Sequence, residues 1–412
     1  MRHLLFAAVF LSLLTRHSFA QERQVTLSEA VALALERNPT VQEAALRIEQ
    51  QSALKRSALD IPKTDVSLLY GQYNSIEKND NNITISQTIP FPTVFARQQS
   101  LNNMLVHQSE LKAQLTVNDV TYQVKGIVNK LQYLKARQEM LHSQDSILDD
   151  LARVADVQYR TGEGTLLGKT IAETQQVEMK NQLFRNQADI RSTKNSLQLL
   201  IHSPDVTDVM GDLEQLAEYL DTDTVDVMNH PASRLAKQSV RIAAQQKKVE
   251  SARVFPEFQF GYFTQTLIGF QNVDGQEIYY GSDKRFHGFQ FGLSFPLLFA
   301  APSARIRAAG VAVQIASKQE AAVNLLIEQQ YTQASQELNK NKNSVEYLRA
   351  SALVTANMIS EQTKKSFESG ELDYATLLSN LRQALSVREQ YLLALYQYNN
   401  SIIELQYLNG NK

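Results

Sequence analysis

Two stretches of this chain, from Thr93 to Arg160 and from Ser303 to Ser369, contain no proline and one glycine apiece, Gly126 and Gly310. Proline removes a helix donor and clashes with the preceding turn, and interior glycine weakens a helix. Stretches that lack both predict two helices of roughly 65 residues, and at ~1.5 Å rise per residue each would run on the order of 100 Å. A globular core needs nothing so long, so such helices must find partners along their whole length. The last helical stretch indicates how. Tyr374, Leu377, Leu381, Ala384, Arg388, Tyr391, Leu395, Tyr398, Ile402 and Leu405 recur at spacings of three and four, with only Arg388 polar. That is a heptad seam, which calls for coiled-coil packing. Its counterpart at residues 173–200 is more polar and keeps a narrower seam. Helices of this kind cannot be buried all round and suit a wall with one wet side.

The chain also repeats itself. "NPTVQEAALRIEQQSALKRSALDIPK" from Asn38 resembles "HPASRLAKQSVRIAAQQKKVESARVFPE" from His230, with Pro39 and Pro62 matching Pro231 and Pro256. "TISQTIPFPTVFARQQS" matches "QFGLSFPLLFAAPSARI" at Pro90 and Pro296, and "VQYRTGEGTLL" matches "KSFESGELDYATLL" at Gly162 and Gly370. The four landmarks are offset by 192, 194, 206 and 208 residues in chain order, so one insertion of about a dozen residues separates two otherwise registered copies. An insertion confined to one place belongs in a surface loop. The predicted organisation is a leader at 1–20, a first repeat at 21–203, an acidic linker at 204–225 and a second repeat at 226–412. Each repeat reads helix, strand, strand, long helix, glycine turn, helix. Thr26 and Glu29 form a capping-box pattern at the first helix.

The expected strands lie at about 65–73, 83–89, 257–263 and 288–295, giving two hairpins, about 65–89 and 257–295. In the last strand Phe289, Phe291, Leu293 and Phe295 alternate with Gln290, Gly292 and Ser294. Strict period-two alternation marks a strand with one apolar and one polar face. Two environments fit that pattern: a soluble core on the oily side with water outside, or lipid outside with a wet lumen inside. Four strands are too few for a sandwich, and no further amphipathic helix is available to cover the oily face. Lipid requires every backbone group to be paired, which for strands means a closed barrel. Four strands cannot close alone, so several chains must contribute, and three would give a 12-stranded barrel. Phe289, Phe291, Leu293 and Phe295 would then face lipid, and Gln290 and Ser294 the lumen. The fold class expected is mainly α with a small β part: long antiparallel coiled-coil hairpins forming a helical barrel, plus the shared β-barrel.

"MRHLLFAAVFLSLLTRHSFA" has Arg2, an apolar run from Leu4 to Leu14 and small residues Ser18 and Ala20 before a cleavage point, the pattern of a secretory signal. The mature chain would begin at Gln21, which is not cysteine and implies no lipid anchor. The chain has 41 Lys and Arg against 43 Asp and Glu and no clustered basic run, so no nucleic acid is expected as a partner. No cysteine is present, which excludes disulfides and thiolate metal sites. His107, His142, His202, His230 and His287 are scattered without metal spacing. "GEGTLLGKT" lacks the spacing of a phosphate-binding loop and follows a helix instead of a strand. No catalytic, cofactor or metal site is expected, and the chain is not expected to be an enzyme.

The order of these features resembles the TolC-like outer-membrane efflux factor family. The resemblance spans the whole mature chain and is carried by "TLSEAVALALERNPTVQEA", by Pro62 and Pro256 before the strands, by Pro90 and Pro296 after them, and by the paired "YRTGEGTLL" and "FESGELDYATLL" turns. It implies a homotrimer with a 12-stranded barrel in the outer membrane of a Gram-negative bacterium and a helical barrel in the periplasm. It further implies a passive exit duct that serves an inner-membrane pump through a periplasmic adaptor. Gly162 and Gly370 would sit at the periplasmic hairpin tips, and Glu163, Glu371 and Asp373 would line the tip and touch the adaptor. The plainer alternative is that these acids only solvate their turns. The family often places carboxylates six and nine residues after the second glycine, where this chain has Thr376 and Ser379. Its compact size and short C-terminus after Leu408 resemble members serving pumps of the resistance-nodulation-division type. The cargo, whether metal ion, drug or protein, is not legible. The competing reading is a periplasmic coiled-coil adaptor or scaffold without a channel.

Overall fold

The computed structural model describes residues 23–72, 76–217 and 227–410, so the leader at 1–20 lies outside the described residues. The elements in order are β1 (Arg23–Val25), α1 (Leu27–Arg37), α2 (Pro39–Ala53), a 3₁₀ turn (Leu54–Leu59), β2 (Asp65–Tyr70), β3 (Asn81–Ile89), α3 (Pro92–Thr161) and α4 (Leu166–Ile201). There follow β4 (Val206–Val209), a short 3₁₀ turn (Val227–Asn229), α5 (Pro231–Ala252), β5 (Glu257–Gln265), β6 (Gly269–Val273), β7 (Gln276–Tyr280) and β8 (Phe286–Ser294). The chain ends with α6 (Ala300–Tyr347), a π-turn (Leu348–Ala352), α7 (Leu353–Glu368) and α8 (Tyr374–Leu408). Prolines open α2, α3 and α5, the one helical position where a missing N–H costs nothing. Among the described residues, no helix is long and apolar enough to cross a membrane.

The chain divides into two compact units. Of the described residues, one contains 23–44, 113–217, 227–231 and 325–410; the other contains 45–72, 76–112 and 232–324. In the first unit the capping box predicted at Thr26 is formed: the Thr26 Oγ1 accepts from the Glu29 N–H at 3.3 Å, and the Glu29 carboxylate accepts from the Thr26 N–H at 2.8 Å. Val25 of β1 and Val206 and Val209 of β4 are buried with Leu131, Leu197 and Ile201 in one core. A second core gathers Leu338, Val345 and Leu348 against Leu395, Tyr398, Ile402 and Leu405 of α8, which are seam positions read from the heptad.

Asparagines bind these helices to one another. The amide of Asn118 donates to the Tyr407 carbonyl at 3.0 Å, that of Asn129 to the Tyr396 carbonyl at 3.1 Å, and that of Asn186 to the Leu134 carbonyl at 2.9 Å. A side chain that occupies a carbonyl of the facing helix fixes axial register, because a slide would leave a buried amide unpaired.

The long helices follow their expectations with one difference. The first is a single element, Pro92–Thr161, whereas the second is interrupted by the π-turn at Leu348–Ala352. The linker also holds structure: its first residues form β4, which pairs in parallel with β1.

The second unit carries an antiparallel sheet of order β2-β3-β5-β8. The two expected hairpin pairings are present, and β3 to β5 joins them. The strand limits differ from those read in sequence. β2 stops at Tyr70 because Gly71, at φ 124°, turns the chain away, and Tyr73 lies outside the described residues. β8 runs Phe286–Ser294, so Phe295 falls one residue past its end, between the last ladder pair, Glu257 with Ser294, and Pro296, which has no N–H to donate.

Candidate functional site

Residues paired across an antiparallel ladder share a face. The register therefore sorts the sheet into two sides. Val66, Ile85, Tyr262 and Phe289 form one cross-strand row; Phe260 pairs with Phe291, and Ile89, Phe258 and Leu293 form another row on the same side. The rings touch: Phe260 meets Phe291 edge-to-face at 5.8 Å, and Tyr262 lies 5.6 Å from Phe289. Phe289 and Phe291 are nonetheless 75% and 74% exposed, and Leu293 and Phe295 are also exposed. Nothing among the described residues covers them.

The opposite side is polar. Asp65, Ser86, Gly261 and Gln290 form one row, Gln259 and Gly292 pair in another, and Glu257 and Ser294 close the end. The Asn82 side-chain amide donates to the side-chain oxygen Oε1 of Gln265 at 3.3 Å. Gln290 and Ser294 are exposed. Phe263 is an apolar residue on this side, and its ring lies over Gly288, where an added Cβ would fall 2.4 Å from its Cζ. The alternation read from one strand thus extends across four with exceptions: Leu69 and Phe286 also lie on the polar side, and Gln87 and Thr264 on the apolar one.

At the far end of the sheet a polar cluster locks the ladder. The buried Asp80 carboxylate accepts from the Thr266 hydroxyl at 3.0 Å and the Ile268 N–H at 2.9 Å. Arg285 donates to the Asn81 side chain and to the Thr264 carbonyl, each at 2.8 Å. Between β5 and β8 the residues of the insertion form the hairpin β6–β7, turned by Asp274 and Gly275 at φ 55° and 85°. Two successive positive φ values define the tight turn that matches strand twist.

In the other unit, Gly162 at φ 80° and Gly370 at φ 79° close the two helical hairpins. The Gly370 N–H bonds the Phe367 carbonyl at 3.0 Å and the Glu371 N–H the Ser366 carbonyl at 2.8 Å, the pair of bonds that satisfies a helix C-terminus. Gly162 and Glu163 bond Tyr159 and Gln158 in the same pattern, at 3.3 and 2.9 Å. Downstream, Thr165 and Asp373 cap the following helices through the N–H groups of Gly168 and Thr376. Asp373 is held below its usual range by the Thr376 side chain and backbone bonds. Glu371 accepts from the Ser366 hydroxyl at 3.1 Å.

Glu163 and Asp373 line one cavity of about 450 Å³, and Gly162, Gly370 and Glu371 are not among its lining residues. Thr376 and Ser379 are exposed on α8. Lys169, Phe367 and Tyr374 also line this cavity, a placement that sequence reasoning did not foresee. Lys169 lies 2.7 Å from Asp156, which also pairs with Arg160 at 2.7 Å. Tyr374 packs edge-to-face on Phe367, its hydroxyl has no hydrogen-bond partner among the described residues, and burial pushes its pKa up to about 12. No group of three or more metal-ligating side chains occurs among the described residues.

No protein-family model matches the sequence, and no curated protein matches it. Solved structures do. The outer-membrane channel OprN aligns over 94% of this chain and 90% of its own, with a TM-score of 0.79 at 16% identity. A membrane protein from Pseudomonas aeruginosa aligns over 95% and 92%, also at 0.79 and 16%. The outer membrane protein VceC from Vibrio cholerae aligns over 93% and 96%, with a TM-score of 0.76 at 15% identity. This is the TolC-like outer-membrane channel fold. In a chain with the TolC-like fold, the two-sided sheet and the two glycine-closed hairpins are the features that await a role.

Proposed function

We propose that the protein is the outer-membrane exit duct of a tripartite export system, a homotrimer whose sheets join into one 12-stranded barrel. One observation carries this reading: a four-stranded sheet with an exposed Phe, Ile and Leu face, a largely polar opposite face, and edge strands β2 and β8 whose outer edges pair with no strand among the described residues. An exposed apolar face with open edges is an aggregation hazard in water. Lipid on one side and neighbouring copies at both edges remove both problems, and a wet lumen suits the polar side.

The helices would form the periplasmic part, with the repeats at 21–203 and 226–412 supplying one hairpin each. The glycine turns and Glu163, Glu371 and Asp373 would meet a periplasmic adaptor linked to an inner-membrane pump, of the resistance-nodulation-division type. The capping bonds of Asp373 and Glu371 give both residues a structural task at the turn as well. The protein would be a passive conduit that performs no reaction, with the pump supplying the energy.

The absence of native cysteine provides a clean test. Gln290→Cys in intact outer membranes should react with a charged, membrane-impermeant thiol reagent, and Phe291→Cys should be protected. Equal labelling of both would overturn the assignment of the two faces.

A further inference from the structure

The apolar face of the sheet does not end at the strands. Phe91, two residues past Ile89, stacks on Phe258 at 5.8 Å and on Phe255 at 5.1 Å, so the oily side continues as an aromatic ledge just before β5. Beside that ledge, within the same unit, lies an open cavity of about 590 Å³. Phe91 and Phe255 line it together with two guanidiniums, Arg253 and Arg305, and two carboxylates, Asp60 and Glu257. Glu250 holds both arginines on one side, at 3.1 Å from Arg253 and 3.8 Å from Arg305. Each guanidinium has five N–H donors, and these contacts occupy few of them.

This is an arrangement of three zones in sequence: an apolar face, a ledge of rings, and a polar cavity that presents both signs of charge. Aromatic belts mark the boundary between hydrocarbon and headgroups. Arginine pairs suit the planar, multidentate recognition of phosphate. Carboxylates beside them would repel a purely anionic headgroup but suit one that also carries an ammonium. We propose that this cavity binds the headgroup of a zwitterionic phospholipid, with its phosphate on Arg253 and Arg305, its primary ammonium on Asp60, and its acyl chains along Phe91 and Phe255. The inference rests on the reading of the sheet as membrane-embedded.

The test is native mass spectrometry of the mature protein, delipidated in detergent and then loaded with defined lipids. Phosphatidylethanolamine should be retained at one per chain, at least tenfold above phosphatidylglycerol and above glycerophosphoethanolamine, the headgroup alone. R253Q/R305Q should lower that retention at least tenfold. The single variant R305Q removes an exposed side chain with one long contact, and should lower retention several-fold without touching assembly. Arg241→Gln, on α5 outside the cavity, should leave it unchanged. Equal retention of phosphatidylglycerol, retention unaffected by either arginine variant, or binding of the headgroup alone would overturn the site while leaving the channel reading intact. A protein that fails to insert into vesicles at all would remove both.

Discussion

Phe291 and Gln290 are neighbours in sequence that the sheet sends to opposite sides, and substitutions at the two should diverge. Phe291→Arg should destabilise the folded protein in lipid vesicles by about 2–4 kcal/mol if the side chain sits near mid-bilayer. Gln290→Arg should change it little; urea unfolding from vesicles measures both, and equal effects would contradict the two-sided sheet. Gly370 offers a second check. With φ at 79° and no atom within 4 Å of an added Cβ, Gly370→Ala meets only backbone strain, about 1–2 kcal/mol. The Phe–Gln alternation was legible because period two is printed directly in the sequence. Asp80, Arg285 and Tyr374 were not, because their partners Thr266, Thr264 and Phe367 are chosen by folding rather than by spacing.

Between elements, the heptad of α8 foretold which side would be buried but not what would lock the helices in register. Nor did it show how the linker is fastened to α8: Asn399, almost fully buried, accepts from the Leu216 N–H at 3.0 Å and donates to the Glu214 carbonyl at 2.8 Å. Asn399→Leu should cost about 2–3 kcal/mol, since two backbone groups lose their partner in a buried setting. Hydrogen exchange should show it as faster exchange of the Leu216 amide, and an unchanged amide would refute the role. Asp208 ties β4 to Lys135 of α3 at 2.7 Å and to Lys194 of α4 at 3.2 Å. Burial pushes its carboxyl up, but the Lys135 and Val209 N–H bonds and Lys194 outweigh that and hold it below the usual range. A depressed folded pKa gives stability that is complete above the unfolded value, about 3.9, and is lost as pH falls through the folded one. The melting temperature should therefore fall below about pH 4, and Asp208→Asn should flatten part of that fall. The short strands β1 and β4 left no periodic trace, being three and four residues long. The hairpin β6–β7 did leave one, an Asp-Gly pair between apolar runs, inside what read as a loop. The π-turn at Leu348–Ala352 has no marker residue that we can identify.

The molecule as a whole was legible where its sequence is most monotonous. Proline-free stretches foretold the long helices, and glycines at positive φ closed the hairpins where the sequence placed them. Function was less legible, because the oily face acquires meaning only from what lies beyond the chain. Its two uncovered edges make the number of copies the decisive quantity. Thus the most direct measurement is the native mass of the mature protein extracted from outer membranes in detergent. The account predicts three chains, because four strands with open edges must be completed by neighbours. A stable single chain would contradict it, since no closed barrel could then place the Phe face against lipid.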